Sequence, residues 1–232
     1  MANFNVHLSG GALVSGMAAS ALVYTGLFSP LQGAVLWGAG TLGGLLPDID
    51  ADASAPLNWI FSLVAVIAAL FTVRLVAGQS LVMIWGAMLC VFLAIRFGVQ
   101  TLFTRITRHR GAWHSCLAGI FSGLAAAWIS YRLMEQGAEF SWAIGGVTLL
   151  GFLTHLTLDE MYSVNLSGVR IKKSFGTALK PFSIKAWWAS LALAAASVWM
   201  WDKLPHPGDL VSEVARLFHD KANWQFVWLS CR

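Results

Sequence analysis

Long stretches without a single charged side chain decide what this chain can fold into. No Asp, Glu, Lys or Arg precedes Asp48, and charge-free runs follow at residues 53–73, 75–95, 111–131, 140–158 and 186–201. Crossing the hydrocarbon core of a bilayer takes about 20 residues of helix, with a range of roughly 17–25. The segment before Asp48 is too long for one crossing and long enough for two, broken at Phe28-Ser29-Pro30. The expected fold is therefore an all-α polytopic transmembrane bundle of seven spans, at 8–28, 31–47, 57–77, 80–103, 113–133, 141–158 and 184–202. The first span has no basic segment ahead of it and runs into a second, so it is not expected to be a cleaved leader. Composition points the same way. Of 232 residues, 57% are hydrophobic and 11% charged, whereas soluble domains carry about a quarter charged. A soluble enzyme, a disordered chain and a disulfide scaffold are excluded, the last because three cysteines are unevenly spaced.

Basic residues give the expected orientation, because Lys and Arg accumulate in short cytoplasmic loops. Arg105, Arg108 and Arg110 lie between the fourth and fifth spans, and Arg170, Lys172, Lys173, Lys180 and Lys185 between the sixth and seventh. These loops share one side, expected to be cytoplasmic, which also places the N-terminus and residues 48–56 there. Residues 1–202 read as the membrane domain, with Arg96 inside a span, and 203–232 as a tail on the far side. In the tail, Leu210, Val211, Val214, Leu217 and Phe218 recur at helical spacing opposite Glu213, Arg216 and Asp220. That pattern is expected to form an amphipathic interfacial helix. Trp59, Trp113, Trp187 and Trp188 fall near inner ends and Trp142, Trp199 and Trp201 near outer ends, as interfacial belts require.

On this topology the metal-type ligands converge. His7 precedes the first span; Asp48, Asp50 and Asp52 follow the second; His109 and His114 bracket the start of the fifth; His155 and Asp159 close the sixth. His155 and Asp159, four apart, share one helix face. The three aspartates alternate and would point one way in an extended segment. Imidazole and carboxylate without thiolate suit Zn²⁺, Mn²⁺ or Fe²⁺, one or two ions. Cys90, Cys116 and Cys231 form no CxxC pair and read as packing thiols. In this arrangement Asp52 or Glu160 is the expected general base. Arg108 and Arg110 would hold an anionic group and Ser115 would hydrogen-bond it, while Lys172, Lys173 and Lys180 form a basic rim. That rim also follows from the positive-inside rule and anionic-lipid contact alone. A site at the inner surface expects an amphiphilic substrate, a membrane lipid or lipid-linked intermediate, with the bilayer as partner and no nucleic acid.

These residues carry a resemblance. Asn3-Phe4-Asn5-Val6-His7, Gly43-Gly44-Leu45-Leu46-Pro47-Asp48-Ile49-Asp50, His109-Arg110-Gly111 with His114-Ser115, His155 with Asp159-Glu160, and Ser174-Phe175-Gly176-Thr177-Ala178-Leu179-Lys180 occur in this order. Together they resemble the YdjM-like family of predicted membrane-bound, metal-dependent hydrolases, one member of which is known as LexA-regulated. The resemblance covers about residues 1–200. It implies a bacterial inner-membrane hydrolase with its metal near those His and Asp residues. A fainter similarity is to zinc-dependent phospholipases C and related nucleases, and no residue role is carried over from them. Two other classes remain: a metal-ion or solute transporter, which needs polar residues through the full bilayer depth, and a stress-response membrane protein whose metal stabilises the bundle.

Overall fold

The computed structural model describes residues 3–50, 55–106, 112–165, 170–171 and 179–219. Helix α1 (Phe4–Tyr24) starts at Phe4 because the Asn3 side chain accepts from the Val6 N–H at 3.0 Å, an N-cap. His7 therefore lies inside the first turns of α1, where the sequence had put it ahead of the first span. Gly26, at φ +79°, turns the chain. Helix α2 (Pro30–Gly43) then opens on a capping box between Ser29 and Gln32, with Pro30 in its first turn.

The end of α2 departs most from the expected spans. The helix stops at the Gly43-Gly44 pair, and Leu46–Asp50 forms a 3-10 turn. At three residues per turn, the two-residue alternation expected of Asp48 and Asp50 in an extended strand does not apply.

Helix α3 (Ala55–Leu75) pairs with α4 (Leu81–Leu93), which continues through a π-helical turn, Ala94–Val99, into α5 (Gln100–Ile106). Helix α6 (Cys116–Trp128) ends in a second π turn, Ile129–Leu133, and α7 (Ala138–Ser163) follows. A two-residue antiparallel ladder pairs β1 (Val164–Asn165) with β2 (Arg170–Ile171). Helix α8 (Trp187–Lys203) and the amphipathic α9 (Gly208–His219) complete the described chain, the latter where the tail helix was expected.

Among the described residues, five helical stretches are long and apolar enough to cross a membrane: Phe4–Tyr24, Leu57–Leu75, Leu81–Thr104, Cys116–Leu133 and Ala138–Ser163. The other two expected spans are shorter. Helix α2 has 14 residues, about 21 Å against a core of about 30 Å, while α8 has 17, at the lower end of the crossing range. Charge-free sequence could not show this, because α2 is ended by backbone geometry at Gly43-Gly44 and not by a charge.

Helix α7 is the centre of the bundle, packing on α1, α2 and α6, while α6 also meets α8. Small residues let the backbones approach. A Cβ on Gly145 would lie 2.6 Å from the Gly123 carbonyl oxygen of α6, and one on Gly151 would overlap the Gly40 carbonyl of α2. Trp142 Nε1 donates to the Pro205 carbonyl at 2.9 Å, and Leu210 of α9 packs against the core cluster that contains Phe140 and Ile144. By contrast α3 and α4 pack mainly on each other, turning residues such as Val66, Leu70, Trp85 and Leu89 outward. The hairpin joins the rest through Leu57, Phe61 and Phe103 against Leu8, Leu45 and Leu46. Cys90, which is exposed, and Cys116, which is half-buried, are free thiols.

Candidate metal centre

The start of α1, the end of α2, the residues ahead of α6 and the last turns of α7 meet at one end of the bundle. Because α1 and α2, like α6 and α7, run antiparallel, this follows from connectivity once the helices form. Each side chain then has a local reason for its position. Asn3 caps α1 one turn before His7. The Gly40, Gly43 and Gly44 approach seats the end of α2 on α7, so the Gly44 carbonyl lies 2.7 Å from His155 Nδ1. The 3-10 turn then carries Asp48, and Trp113 pins that turn by donating from Nε1 to the Leu46 carbonyl at 2.8 Å. Trp113 is half-buried, edge-on to Phe103 and Phe121.

A carbonyl only accepts, so His155 Nδ1 carries the proton and Nε2 is left with a lone pair when the ring is neutral. Nε2 is buried and has no hydrogen-bond partner among the described residues. It lies 3.6 Å from Asp48 Oδ1 and 3.9 Å from Asp159 Oδ2. Asp159 turns its other oxygen, Oδ1, to His7 Nε2 at 3.2 Å, while Oδ2 is 3.3 Å from His114 Nε2. The rings of His7 and His155 stack at 3.6 Å, and His114 stands edge-on to His155 at 5.5 Å. His7 Nδ1 is a second buried nitrogen with no partner.

Two triads of donor atoms result, each with all its atoms within 4.8 Å of one another: His7, His155 and Asp159, and Asp48, His114 and His155. Bonds of about 2.0–2.2 Å to an ion put neighbouring ligand atoms roughly 3–3.6 Å apart, which is the scale of the closer separations found. Three imidazoles, two carboxylates and orphaned buried nitrogens are what a divalent transition ion would satisfy. The two triads differ in access. The side chains of His7, His155 and Asp159 are 4% exposed or less, whereas His114 is 12% and Asp48 20% exposed. The centre therefore opens on its Asp48–His114 side. Burial still pushes the Asp48 carboxyl above its ordinary value, against the lowering pull of His7 and His114.

Of the expected site residues, the structure thus brings together His7, Asp48, His114, His155 and Asp159. Ser115 is not turned toward a substrate. It is buried as the N-cap of α6, accepting from the Ala118 N–H and donating to the Ala112 carbonyl. A serine directly ahead of an apolar helical run is a cap signature, and that signal was present in the sequence. Ser115→Ala is expected to cost about 1 kcal/mol of stability while leaving metal content per folded molecule unchanged, checked by thermal unfolding alongside metal analysis.

Glu160 follows Asp159 on α7 and belongs to neither triad. Lys180 offers its carbonyl to the Cys116 N–H, and Pro181 does the same for Leu117, so this loop satisfies the first turn of α6. The side chain of Asp50 lies outside the described part, as do residues Asp52, Arg108, His109, Arg110, Lys172 and Lys173. Sequence reasoning missed the Gly44 carbonyl and the Trp113 N–H as supports of the centre. A Gly-Gly pair five residues before an aspartate signals a close approach, but not what approaches.

No curated protein and no solved structure matches the chain at a significant level. The apolar crossings, the order of the His and Asp motifs and their convergence agree with a whole-chain match to one family model, over residues 1–229. The chain belongs to the YdjM inner membrane protein family.

Proposed function

We propose that this protein is an inner-membrane, metal-dependent hydrolase that cleaves a phosphoester or ester bond of a lipid-like substrate at the cytoplasmic membrane face. The observation that supports it is His155: buried, with Nδ1 committed to Gly44, and with a partnerless Nε2 facing Asp48 at the accessible side of the cluster. A bound Zn²⁺, Mn²⁺ or Fe²⁺ would supply Lewis acidity and a water acidified toward a pKa of about 7. His7, His155 and Asp159 would hold it from the buried side, and Asp48 and His114 from the open one. Asp159, between His7 and His114, orients both rings. Glu160 and Asp52 are the proposed proton acceptors. Arg108, Arg110, Lys172, Lys173 and Lys180 are the proposed binders of an anionic head group.

The buried triad also supports a second reading, an ion that only stabilises the bundle. The two separate on one preparation. Full-length protein in detergent should hold close to stoichiometric transition metal and hydrolyse phosphomonoester or phosphodiester lipids. Metal without turnover of any ester lipid would favour the structural ion, and folded protein that binds no metal would sink both.

Metal uptake should also depend on pH. An ion needs the Asp48 carboxylate, whereas burial favours the neutral acid. Binding at a pH where Asp48 holds its proton must therefore release it, and apparent affinity should fall as pH drops through the raised pKa of Asp48. Calorimetry in two buffers of different ionisation enthalpy counts the protons; affinity that is flat with pH would contradict Asp48 as a ligand.

A further inference from the structure

Away from the metal centre, a second polar constellation joins α3 to the π turn after α4. Arg96 Nε donates to Ser62 Oγ at 3.0 Å, its Nη2 to Asn58 Oδ1 at 3.2 Å, and its Nη1 to Gln100 Oε1. Gln100 Nε2 donates to the same Asn58 oxygen at 2.8 Å, and the guanidinium lies 5.3 Å from the centroid of the Phe97 ring. Every one of these partners is neutral. Among the described residues no carboxylate pairs with Arg96. A guanidinium carries five N–H donors and stays charged at any working pH, so these bonds leave both a net charge and unspent donors.

Position says which anion can reach it. Asn58 is the second residue of the crossing Leu57–Leu75, and Leu57 packs against Leu45 beside Leu46. The guanidinium therefore sits near the same end of the bundle as Asp48, close to the level of lipid head groups. Gln100 is buried, Arg96 half-buried and Asn58 exposed, so the cluster is closed behind and open in front. Trp59 and Phe97, adjacent in sequence to Asn58 and Arg96, and Val99 and Leu102 on the same stretch are exposed apolar side chains suited to acyl chains and not to water. The helix is also wound as a π turn at this place, a distortion that recurs at functional sites.

We propose that the groove between α3 and α4 binds the phosphate of an anionic phospholipid, with Arg96 as the charged contact and Asn58, Ser62 and Gln100 holding the guanidinium in place. This site is separate from the metal centre and does not depend on the hydrolase reading. A clamp whose sole role is to hold α3 against α4 would show no preference among lipids.

The test is native mass spectrometry of the full chain with phosphatidylglycerol, with phosphatidylcholine and with inorganic phosphate. Wild type should retain phosphatidylglycerol in preference to the other two. Arg96→Gln should weaken that adduct by about tenfold or more, the loss of charge-assisted hydrogen bonds, while Arg96→Lys keeps part of it. Equal retention by Arg96→Gln, equal binding of phosphatidylcholine, or binding of inorganic phosphate as tight as the lipid would each overturn the proposal. If Arg96→Gln does not fold, phosphatidylglycerol with a photoreactive head group decides the matter on wild type. Cross-links at residues 58–62 and 96–102 are expected, and cross-links confined to the basic loops would overturn the site.

Discussion

His155→Ala protein is expected to purify with almost none of the transition metal carried by wild type. Among the described residues His155 is the one common to both donor triads, so its removal takes a ligand from each of them. The loss should exceed that of a supporting group, whose removal costs about 10–100-fold in metal affinity. Asp159→Asn is a useful companion, because it keeps the side-chain volume while weakening the acceptor that faces His7 and His114. His155→Ala also strands the buried Gly44 carbonyl, at about 1–3 kcal/mol. Metal loss must therefore be read on protein shown to be folded by circular dichroism, and against wild type stripped with a chelator. Folded His155→Ala that keeps wild-type metal content would end the assignment of this cluster as a metal centre.

Gly151→Leu should be the most damaging change away from the ligands. A Cβ at Gly151 would overlap the Gly40 carbonyl and lie 2.9 Å from the Gly44 nitrogen, both backbone atoms that have no rotamer to give way with. Overpacking typically costs 1–3 kcal/mol, and a whole isobutyl group against backbone should reach or pass the upper part of that range. The consequence extends to function, because residue 151 lies four positions before His155 on the same face of α7. Forcing α2 away at Gly151 must lengthen the 2.7 Å contact between the Gly44 carbonyl and His155 Nδ1. Gly151→Leu is expected to lower both the unfolding temperature and the metal content. Gly146→Ala is the control: nothing lies within 4 Å of its Cβ position, so it should be neutral or slightly stabilising. Wild-type unfolding and metal content in Gly151→Leu would show that the α2–α7 approach is not what seats His155.

Much of the centre was legible in the sequence because spacing and connectivity are topological facts. Alternating crossings place the start of α1, the end of α2, the region before α6 and the end of α7 together whatever the side chains do. The four-residue spacing of His155 and Asp159 puts them on one face of any helix. Ser115 was misread because its hydroxyl can cap a helix or meet a ligand, and only the bonds to Ala112 and Ala118 decide between them. The spacing of Asp48 and Asp50 left their direction open, because it reads differently in an extended strand and in the 3-10 turn that forms. Arg96 was visible as a charge inside a span, but its neutral partners Asn58 and Ser62 lie more than thirty residues away on another helix.

By itself the sequence determined that this is a helical membrane protein, that His7, Asp48, His114, His155 and Asp159 share an end of it, and its membership of one inner-membrane family. Those follow from hydrophobic length, helical period and the order of motifs, all local or additive properties of the chain. Only the tertiary structure decided that α2 stops at Gly43, that Gly44 fixes the tautomer of His155, and that Asp159 faces two histidines at once. Each of these depends on how closely two backbones can approach, which glycines permit but which no residue spacing specifies.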